Sequence, residues 1–332
     1  MDEARKPVAG TDYPATWSQF LKWFGDDAAC AGYLERLRWP TGFACTACGV
    51  LGEPYRASRG RLMCRACGHQ GSVTAGTIFD KTRTPLTVWF AAIWYVTSQK
   101  HGVSALGLQR VLGLGSYQTA WTILHRLRRA MVRRERERLR GVVEVDEAYV
   151  ELGDREHPFV RKSLSNKGGT GQLIVAIAAE VLEPKGIGRV RLRRIPSASQ
   201  EHVQPFVEES IEPSAKVRTD GSLVYGFLEK EGYVHHRTVV RVDGKMVGSL
   251  PVVNRVASLL KRWLLGTHHG AVQPGQLDHY LEEFAFRFNR RTARSRGLLF
   301  YRLLEQSVQH DPVTYRDVVD LGRNRPVALD WS

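Results

Sequence analysis

The chain has 332 residues, of which 43% are hydrophobic, and its formal net charge is +14 at pH 7. This composition allows packed cores for about two domains and argues against a largely disordered chain. The positive charge is typical of proteins that bind nucleic acids, the alternative being a charge that serves solubility alone. The longest apolar run, "VWFAAIWYV", is too short to cross a membrane, and the N-terminus lacks a signal-peptide pattern. We therefore expect a cytoplasmic, nucleoid-associated protein without membrane contact.

The sequence pattern changes several times along the chain and predicts a multidomain protein of the α+β or α/β class. Aromatic helices come first, a short Gly-rich segment with cysteines follows, and then a second helical region that ends in many arginines. From residue 142 strands alternate with helices. Residues 151–170, which are basic and rich in Gly and Ser, are predicted to form a mobile loop. The predicted parts are a helical segment 1–40, a zinc ribbon 41–84, a helical DNA-binding region 85–140, a mixed-sheet domain 141–291 and a C-terminal tail 292–332.

Four of the five cysteines form two CxxC pairs, "CTAC" at 45–48 and "CRAC" at 64–67. Each pair closes a tight turn that directs two thiolates toward one ion, and a Gly follows each turn. Four thiolates form the tetrahedral shell that Zn²⁺ prefers. The spacing therefore predicts a structural zinc site formed by Cys45, Cys48, Cys64 and Cys67. Cys30 lies outside the spacing and is predicted to be a buried apolar residue.

The segment around the cysteines has two interpretations, and the sequence favours neither. Its arginines could contact DNA from the surface of the ribbon. Alternatively, the zinc could serve only to fold a segment that is too small to hold a core of its own. The arginines concerned are Arg56, Arg59, Arg61 and Arg65.

Residues 104–131 are typical of a helix-turn-helix motif. Apolar residues recur at helical spacing on both sides of "GLG", and Ser116 is a good candidate N-cap for the second helix. In such motifs the start of the second helix enters the major groove. Tyr117, Gln118 and Thr122 are therefore predicted to read bases, and Gln can pair with adenine in a bidentate manner. The alternative is an ordinary pair of core helices.

The end of this helical region is rich in arginine, and its predicted role is to neutralise DNA phosphates without reading sequence. The residues to which we assign this role are Arg126, Arg128 and Arg129. A second basic segment, "RFNRRTARSR" at 287–296, is predicted to act in the same way.

The strand "VVEVDEAYV" (142–150) carries three acids, which are costly to bury without a partner or a metal. Further strands are predicted at 171–181, 188–196 and 215–219 and near 233–240, with helices at about 199–211, 254–266 and 274–291. This order is similar to that of a ribonuclease-H-like fold, in which the first and fourth strands are neighbours. Asp146 in the first strand and Asp220 after the fourth would then face each other at one edge of the sheet.

Two adjacent carboxylates repel each other, and a divalent cation relieves that repulsion. Mg²⁺ prefers oxygen ligands, and two such ions could stabilise the attacking and leaving oxygens of an in-line displacement. Asn254 could add a neutral oxygen, and Lys261, two helical turns later on the same face, could lie near phosphates. Taken singly, Asp220 could be a turn residue, Asn254 a helix cap and Lys261 a solvated charge.

Together these features resemble bacterial insertion-sequence transposases with an N-terminal zinc ribbon and a DDE-type domain in which asparagine replaces the third acid. The resemblance implies that Asp146, Asp220 and Asn254 bind Mg²⁺, for which Mn²⁺ can substitute, that Lys261 assists, and that the four cysteines bind zinc. It also implies cleavage at the element's ends and transfer of the freed 3′-hydroxyl into target DNA. The matching segments are "CAGYLERLRWPTGFACTACG" (30–49), "CRACGHQGSVTAGTIFDKTRTPL" (64–86), "VEVDEAYV" (143–150), "RTDGS" (218–222) and "VVNRVASLLKRWLLGTHHGAVQPGQLDHYLEEFAFRFNRR" (252–291).

The chain departs from the family pattern at a few positions. Relatives often have small glycines after the first motif, where this chain has Glu151 and Leu152. They also often have an acid three residues beyond the asparagine, where this chain has Ala257. This difference could weaken metal binding, or it could mean that this copy of the transposase is decaying.

The expected partners are double-stranded DNA, as terminal inverted repeats and as target, and at least one further copy of the chain, because a transposase acts on two ends. Two other functions compete with the transposase interpretation. One is a regulator that binds DNA without cutting it, and the other is a structure-selective nuclease.

Overall fold

The computed structural model describes residues 6–132, 136–151, 172–238, 250–269 and 272–320. They form two compact units, the first from residues up to Arg133 together with Thr292–Asp320, and the second from Arg134–Arg291. Residues 152–171, which contain most of the predicted basic loop, lie outside the described part. None of the described helices is both long enough and apolar enough to cross a bilayer.

The elements of the first unit are mainly helical and those of the second are mixed. In the first unit they are α1 (Trp17–Trp23), α2 (Asp27–Arg38), β1 (Tyr55–Ala57), β2 (Arg61–Met63), β3 (Gln70–Ser72), α3 (Leu86–Ser98), α4 (Ala105–Leu112) and α5 (Tyr117–Ala130). In the second unit they are β4 (Val142–Glu151), β5 (Gln172–Val181), β6 (Ile187–Ile195), α6 (Gln200–Ser210), β7 (Lys216–Thr219), β8 (Val234–Arg237), α7 (Pro251–His268) and α8 (Leu277–Asn289). The chain then returns to the first unit with α9 (Arg296–Gln309) and α10 (Tyr315–Asp320).

The core of the first unit is a cluster of aromatic rings around Phe300 of α9. The centroid of the Phe300 ring lies 5.5 Å from that of Phe20 in α1. It lies 5.8 Å from the centroid of Phe90 and 5.5 Å from that of Trp94, both in α3. The described part of the segment 292–332 therefore differs from the predicted tail. Its apolar residues complete a core that the N-terminal helices begin.

The second unit is built on a five-stranded sheet with the order β6-β5-β4-β7-β8. Strands β4, β5 and β6 pair antiparallel, whereas β7 pairs parallel with both β4 and β8. The predicted adjacency of the first and fourth strands of this domain is thereby confirmed. Residues 182–186 connect β5 to β6 as a hairpin, as "LEPKG" predicts.

Both faces of this sheet are covered, so alternate residues of β4 belong to two different cores. Val143 and Val145 pack with α6 and the segment around Tyr225. Ala148 and Val150 pack on the other face, against α7 and α8. Because side chains alternate along a strand, Glu144 and Asp146 share the face covered by α7.

Candidate functional sites

The four predicted zinc ligands converge in the first unit. Sγ of Cys45 lies 3.7 Å from Sγ of Cys67, and Sγ of Cys48 lies 3.7 Å from Sγ of Cys64. All four sulfurs lie within 4.8 Å of one another. A tetrahedron with zinc–sulfur bonds of about 2.3 Å has edges of about 3.8 Å, so the sulfurs fit a zinc ion.

The two cysteine turns repeat the same backbone geometry. Gly49 donates its N–H to the carbonyl of Cys45, and Gly68 donates to that of Cys64, at 2.9 and 3.0 Å. Both glycines have φ of +72°, which a residue with a side chain adopts only with strain. The two glycines therefore set the turns that aim the thiolates inward. As predicted, Cys30 takes no part in the cluster and is fully buried.

The described arginines of the ribbon differ in their surroundings. Arg56 pairs with Glu35 of α2 at 2.7 Å and so ties the ribbon to a helix of its own unit. Arg65 lies over the exposed ring of Tyr55, with 4.4 Å between the guanidinium carbon and the ring centroid. Arg61 donates to Gln70 at 3.3 Å. The folding interpretation thus gains support from Arg56, and Arg65 stays available to a partner.

Helices α4 and α5 have the predicted apolar faces and a tight turn between them. Gly113 ends α4 in the left-handed conformation, with φ of +61°. Ser116 stands at the N-cap position of α5, but its hydroxyl donates to the Gln118 side chain at 2.9 Å instead of accepting from the helix. Tyr117, 48% exposed, and Gln118 lie on the exposed first turn, whereas the Thr122 hydroxyl donates back to the Gln118 carbonyl at 2.7 Å.

The arginines assigned to phosphate contact have structural surroundings within the first unit. Arg128 is only 2% exposed, which corrects its assignment to DNA, because a buried guanidinium cannot reach a phosphate. Arg126 donates to the carbonyl of Ile78 at 3.2 Å, and Arg129 donates to that of Asp317 at 2.7 Å. Burial lowers the pKa of both guanidinium groups. Arg126 and Arg129 hold α5 to other segments of the first unit.

The pairing of β4 with β7 in the second unit brings Asp146 near Asp220. The parallel register pairs Val142 with Lys216 and Glu144 with Arg218, and Asp146 and Asp220 each lie two residues beyond the last of these pairs. Burial raises the pKa of Asp146, and the charge of Asp220 raises it further, while a hydrogen bond from the N–H of Glu147 opposes the shift. Two neighbouring acids offer the oxygen ligands that a divalent cation prefers. A bound cation would also relieve the repulsion between the two carboxylates.

Glu144, for which no role was predicted, connects β4 to helix α7. Its side chain is 1% exposed, and Oε2 accepts from the backbone N–H groups of Val252 at 2.8 Å and Val253 at 2.9 Å. These amides belong to the first turn of α7, where N–H groups have no partner within the helix. Glu144 therefore fixes the start of α7 over the strand that carries Asp146.

Asn254 and Lys261 both lie on exposed positions of α7, one near its start and the other two turns later. The helix begins at Pro251, three residues earlier than predicted, so Asn254 is not the N-cap; that position belongs to Leu250. The backbone N–H of Asn254 donates to the carbonyl of Leu250 at 3.0 Å. Ala257, where relatives often have an acid, packs partly buried against the core.

A second acid beside Asp146 also has a defined partner. Glu147 faces the opposite side of β4, where its Oε1 accepts from the hydroxyl of Tyr225 at 2.6 Å. Burial raises the pKa of Glu147, although the bond from Tyr225 opposes this effect. The signal for both Glu144 and Glu147 was present in the sequence as acids inside an apolar strand, but their partners are distant along the chain.

The described residues therefore combine a four-cysteine zinc ribbon with an α/β unit in which β4 and β7 bring Asp146 near Asp220. Residues 25–70 match the transposase zinc-ribbon domain, and residues 138–289 match the ISXO2-like transposase domain. The chain is also 27% identical over 278 residues to an "Uncharacterized protein in transposable element ISH50" of Halobacterium salinarum. That similarity covers 80% of this chain and 92% of the relative.

The two domain matches together span more than half of the chain, in the order that the sequence predicts. The chain belongs to the insertion-sequence transposases with an N-terminal zinc ribbon.

Proposed function

We propose that this transposase cleaves DNA at the ends of its insertion sequence and joins the freed 3′-hydroxyl to target DNA. The observation that carries the proposal is the parallel pairing of β4, which contains Asp146, with β7, which Asp220 follows directly. The strand order and directions also support a ribonuclease-H-like domain. In this proposal the chain works at the nucleoid, in the cytoplasm, with at least two copies for two DNA ends.

Asp146, Asp220 and Asn254 would hold the Mg²⁺ ions of the proposed reaction. Bound Mg²⁺ would supply positive charge to the attacking and leaving oxygens of the phosphodiester. The two aspartates provide anionic oxygens, whereas the amide of Asn254 provides a neutral one, so this site carries one negative charge less than a site with three acids. Lys261 provides a fixed positive charge for a DNA phosphate on the same face of α7.

End recognition is assigned to the first unit. Tyr117 and Gln118 are exposed at the start of α5, which supports a role for α4 and α5 as a helix-turn-helix. The Thr122 hydroxyl already donates within the helix, so we give it a smaller part in reading bases. Arg65 on the ribbon is an exposed cation, and we assign it to contact with the DNA backbone.

The test uses the full chain, Mg²⁺ and DNA that carries the inverted repeats flanking its coding region. Asp146→Asn and Asp220→Asn should abolish cleavage and joining and leave binding of the ends intact. Glu201→Gln, an exposed acid in the same unit, is the control and should behave as the parent chain. End binding without cleavage by the parent chain would instead support a DNA-binding regulator, and full activity in Asp146→Asn would remove the catalytic assignment.

A further inference from the structure

We propose that Glu147 and Tyr225 form a positioning pair that holds Asp146 and Asp220 at the separation a divalent metal ion requires. The inference rests on the proposed function, because it concerns how the two aspartates are held for metal. Neither residue is assigned as a ligand. Among the described residues, only the four cysteines bring three or more Cys, His, Asp or Glu donors close enough to share one ion.

The pair is joined by a short hydrogen bond in a buried setting. The Tyr225 hydroxyl donates to Oε1 of Glu147 at 2.6 Å, and Tyr225 is fully buried. A hydroxyl that donates to a carboxylate makes a shorter and stronger bond than one that donates to a neutral acceptor. The bond lies on the α6 side of the sheet, whereas Asp146 points to the α7 side.

One end of this bond is next to Asp146 in the strand, and the other end is connected to Asp220 through the turn that follows it. Glu147 follows Asp146 in β4, and its backbone N–H donates to Oδ1 of Asp146 at 2.9 Å. On the other side, Oδ1 of Asp220 accepts from the N–H of Ser222 at 3.0 Å. The Ser222 hydroxyl in turn accepts from the N–H of Val224, next to Tyr225, at 3.4 Å. The bond therefore fastens the turn after Asp220 to the strand that carries Asp146.

A second buried tyrosine of the same core shows what a purely structural hydroxyl does. Tyr233 is 5% exposed and belongs to the same cluster as Tyr225, but its hydroxyl donates to the backbone carbonyl of Ile211 at 3.3 Å. That bond involves neither of the strand residues next to the aspartates. Tyr233→Phe is therefore a matched control for Tyr225→Phe, because both changes remove one buried hydroxyl from one core.

The experiment measures Mn²⁺ binding to the full chain by calorimetry, alongside the Mg²⁺ concentration that gives half-maximal strand transfer on pre-cut ends. Binding to Asp146→Asn is subtracted so that only the acidic site is compared. Tyr225→Phe and Glu147→Ala should each weaken Mn²⁺ binding roughly tenfold. This is the lower end of the range for the loss of residues that orient metal ligands. The double variant should be no weaker than either single one. Glu147→Gln keeps an acceptor for Tyr225 and should restore most of the affinity.

The outcomes separate this inference from the proposed function. If Asp146→Asn abolishes joining but Tyr225→Phe binds Mn²⁺ like Tyr233→Phe, the positioning role is wrong and the transposase proposal stands. If Glu147→Gln is as inactive as Asp146→Asn, Glu147 acts on metal or DNA itself and the positioning role is also wrong. If Asp146→Asn retains full joining, both ideas fail. Should Tyr225→Phe not fold, as judged by circular dichroism, Glu147→Ala tests the same bond.

Discussion

Oε2 of Glu144 lies 2.9 Å from the backbone nitrogen of Val253, and this contact joins the strand of Asp146 to the helix of Asn254. The residues are 109 positions apart in sequence. The helix has no side-chain cap of its own, since Leu250 occupies the N-cap position. A buried carboxylate from another element thus caps this helix, whereas Ser, Thr, Asp or Asn at the N-cap position usually does so.

The first prediction concerns this cap. Glu144→Ala should lower the free energy of unfolding by about 1–3 kcal/mol, because two backbone N–H groups lose a buried acceptor. Strand transfer should fall further than stability alone explains, since the start of α7 carries Asn254. Glu144→Gln keeps an oxygen acceptor, so it should reduce both the free energy of unfolding and strand transfer less than Glu144→Ala does. Urea unfolding and strand transfer on pre-cut ends measure the two effects, and equal loss in both variants would contradict this account.

The second prediction is a pH dependence at Glu180, which pairs with Val143 in the register of the sheet. Burial raises the pKa of Glu180, but hydrogen bonds from Arg189 and from the N–H of Arg140 outweigh it, so the pKa lies below its ordinary value of 4.5. A lowered pKa means that the ionised form stabilises the fold above pH 4.5, and that this contribution is lost as the pH falls through the folded-state pKa.

Glu180→Gln should therefore cost about 2 kcal/mol at pH 7, the scale of hydrogen bonds to a charged group. The difference from the parent chain should shrink as the pH falls below 4.5. Urea unfolding at pH 7 and at pH 3.5 measures both values, with the exposed Glu229→Gln as the control. A difference that grows on acidification would show that the sign is wrong.

The third prediction concerns zinc in the first unit. Removal of the metal, or Cys64→Ser, should unfold the ribbon, because its three strands have three residues each and a small core. The second unit should keep its stability, since it has two apolar cores of its own. Hydrogen exchange of the full chain with and without a chelator resolves the two units. Pure protein with four reactive thiols and no zinc by elemental analysis would rule the site out.

Much of the second unit could be predicted because its strands are apolar runs bounded by turn residues. The adjacency of β4 and β7 followed from the similarity of the element order to that of a ribonuclease-H-like fold, whereas their parallel direction is seen only in the structure. The predicted start of α7 is three residues too late, because Leu250, the residue just before Pro251, has a side chain that cannot cap the helix. The cap is Glu144, which is distant in sequence. The helix at Arg296–Gln309 was missed although Leu299, Leu303 and Leu304 already show helical spacing.

The burial of Arg128 could not be read from the sequence. An arginine in a run of arginines looks exposed, and only the packing of α5 within the first unit shows otherwise. The periodicity of Leu124 and Leu127 identified the buried face of α5, but a long side chain beside that face can be covered as well.

The fourth prediction follows from that burial. Arg128→Ala should lower the free energy of unfolding by about 2 kcal/mol, the scale for loss of a buried polar side chain. It should leave the slope of log affinity for DNA against log salt unchanged, because the slope counts neutralised phosphates. Thermal unfolding and salt titrations of end binding provide the two measurements. A flatter slope in a stable Arg128→Ala variant would restore the phosphate role.

Gln118→Ala is the informative contrast on the same helix. Gln118 is exposed, so its loss should not affect stability. If it reads a base, preference for the element's ends over unrelated DNA should fall by about 1–3 kcal/mol at an unchanged salt slope. Competition binding at fixed salt gives this value, and equal preference in both chains would remove Gln118 from the set of base readers.

The last prediction isolates the role of Asn254. Because Asn254 is the fourth residue of α7 and not its cap, Asn254→Ala should leave stability unchanged or raise it by about 0.5 kcal/mol, as Ala is the better helix former. Strand transfer should nevertheless be severely reduced, because a ligand oxygen is lost. Asn254→Asp has nearly the same shape and adds a negative charge near a helix N-terminus, where negative charge is favourable. It should keep Mn²⁺ binding and retain joining with an altered preference between Mg²⁺ and Mn²⁺. Calorimetry with Mn²⁺ and strand transfer on pre-cut ends decide the matter, and Asn254→Ala with normal joining would show that the two aspartates hold the metal without it.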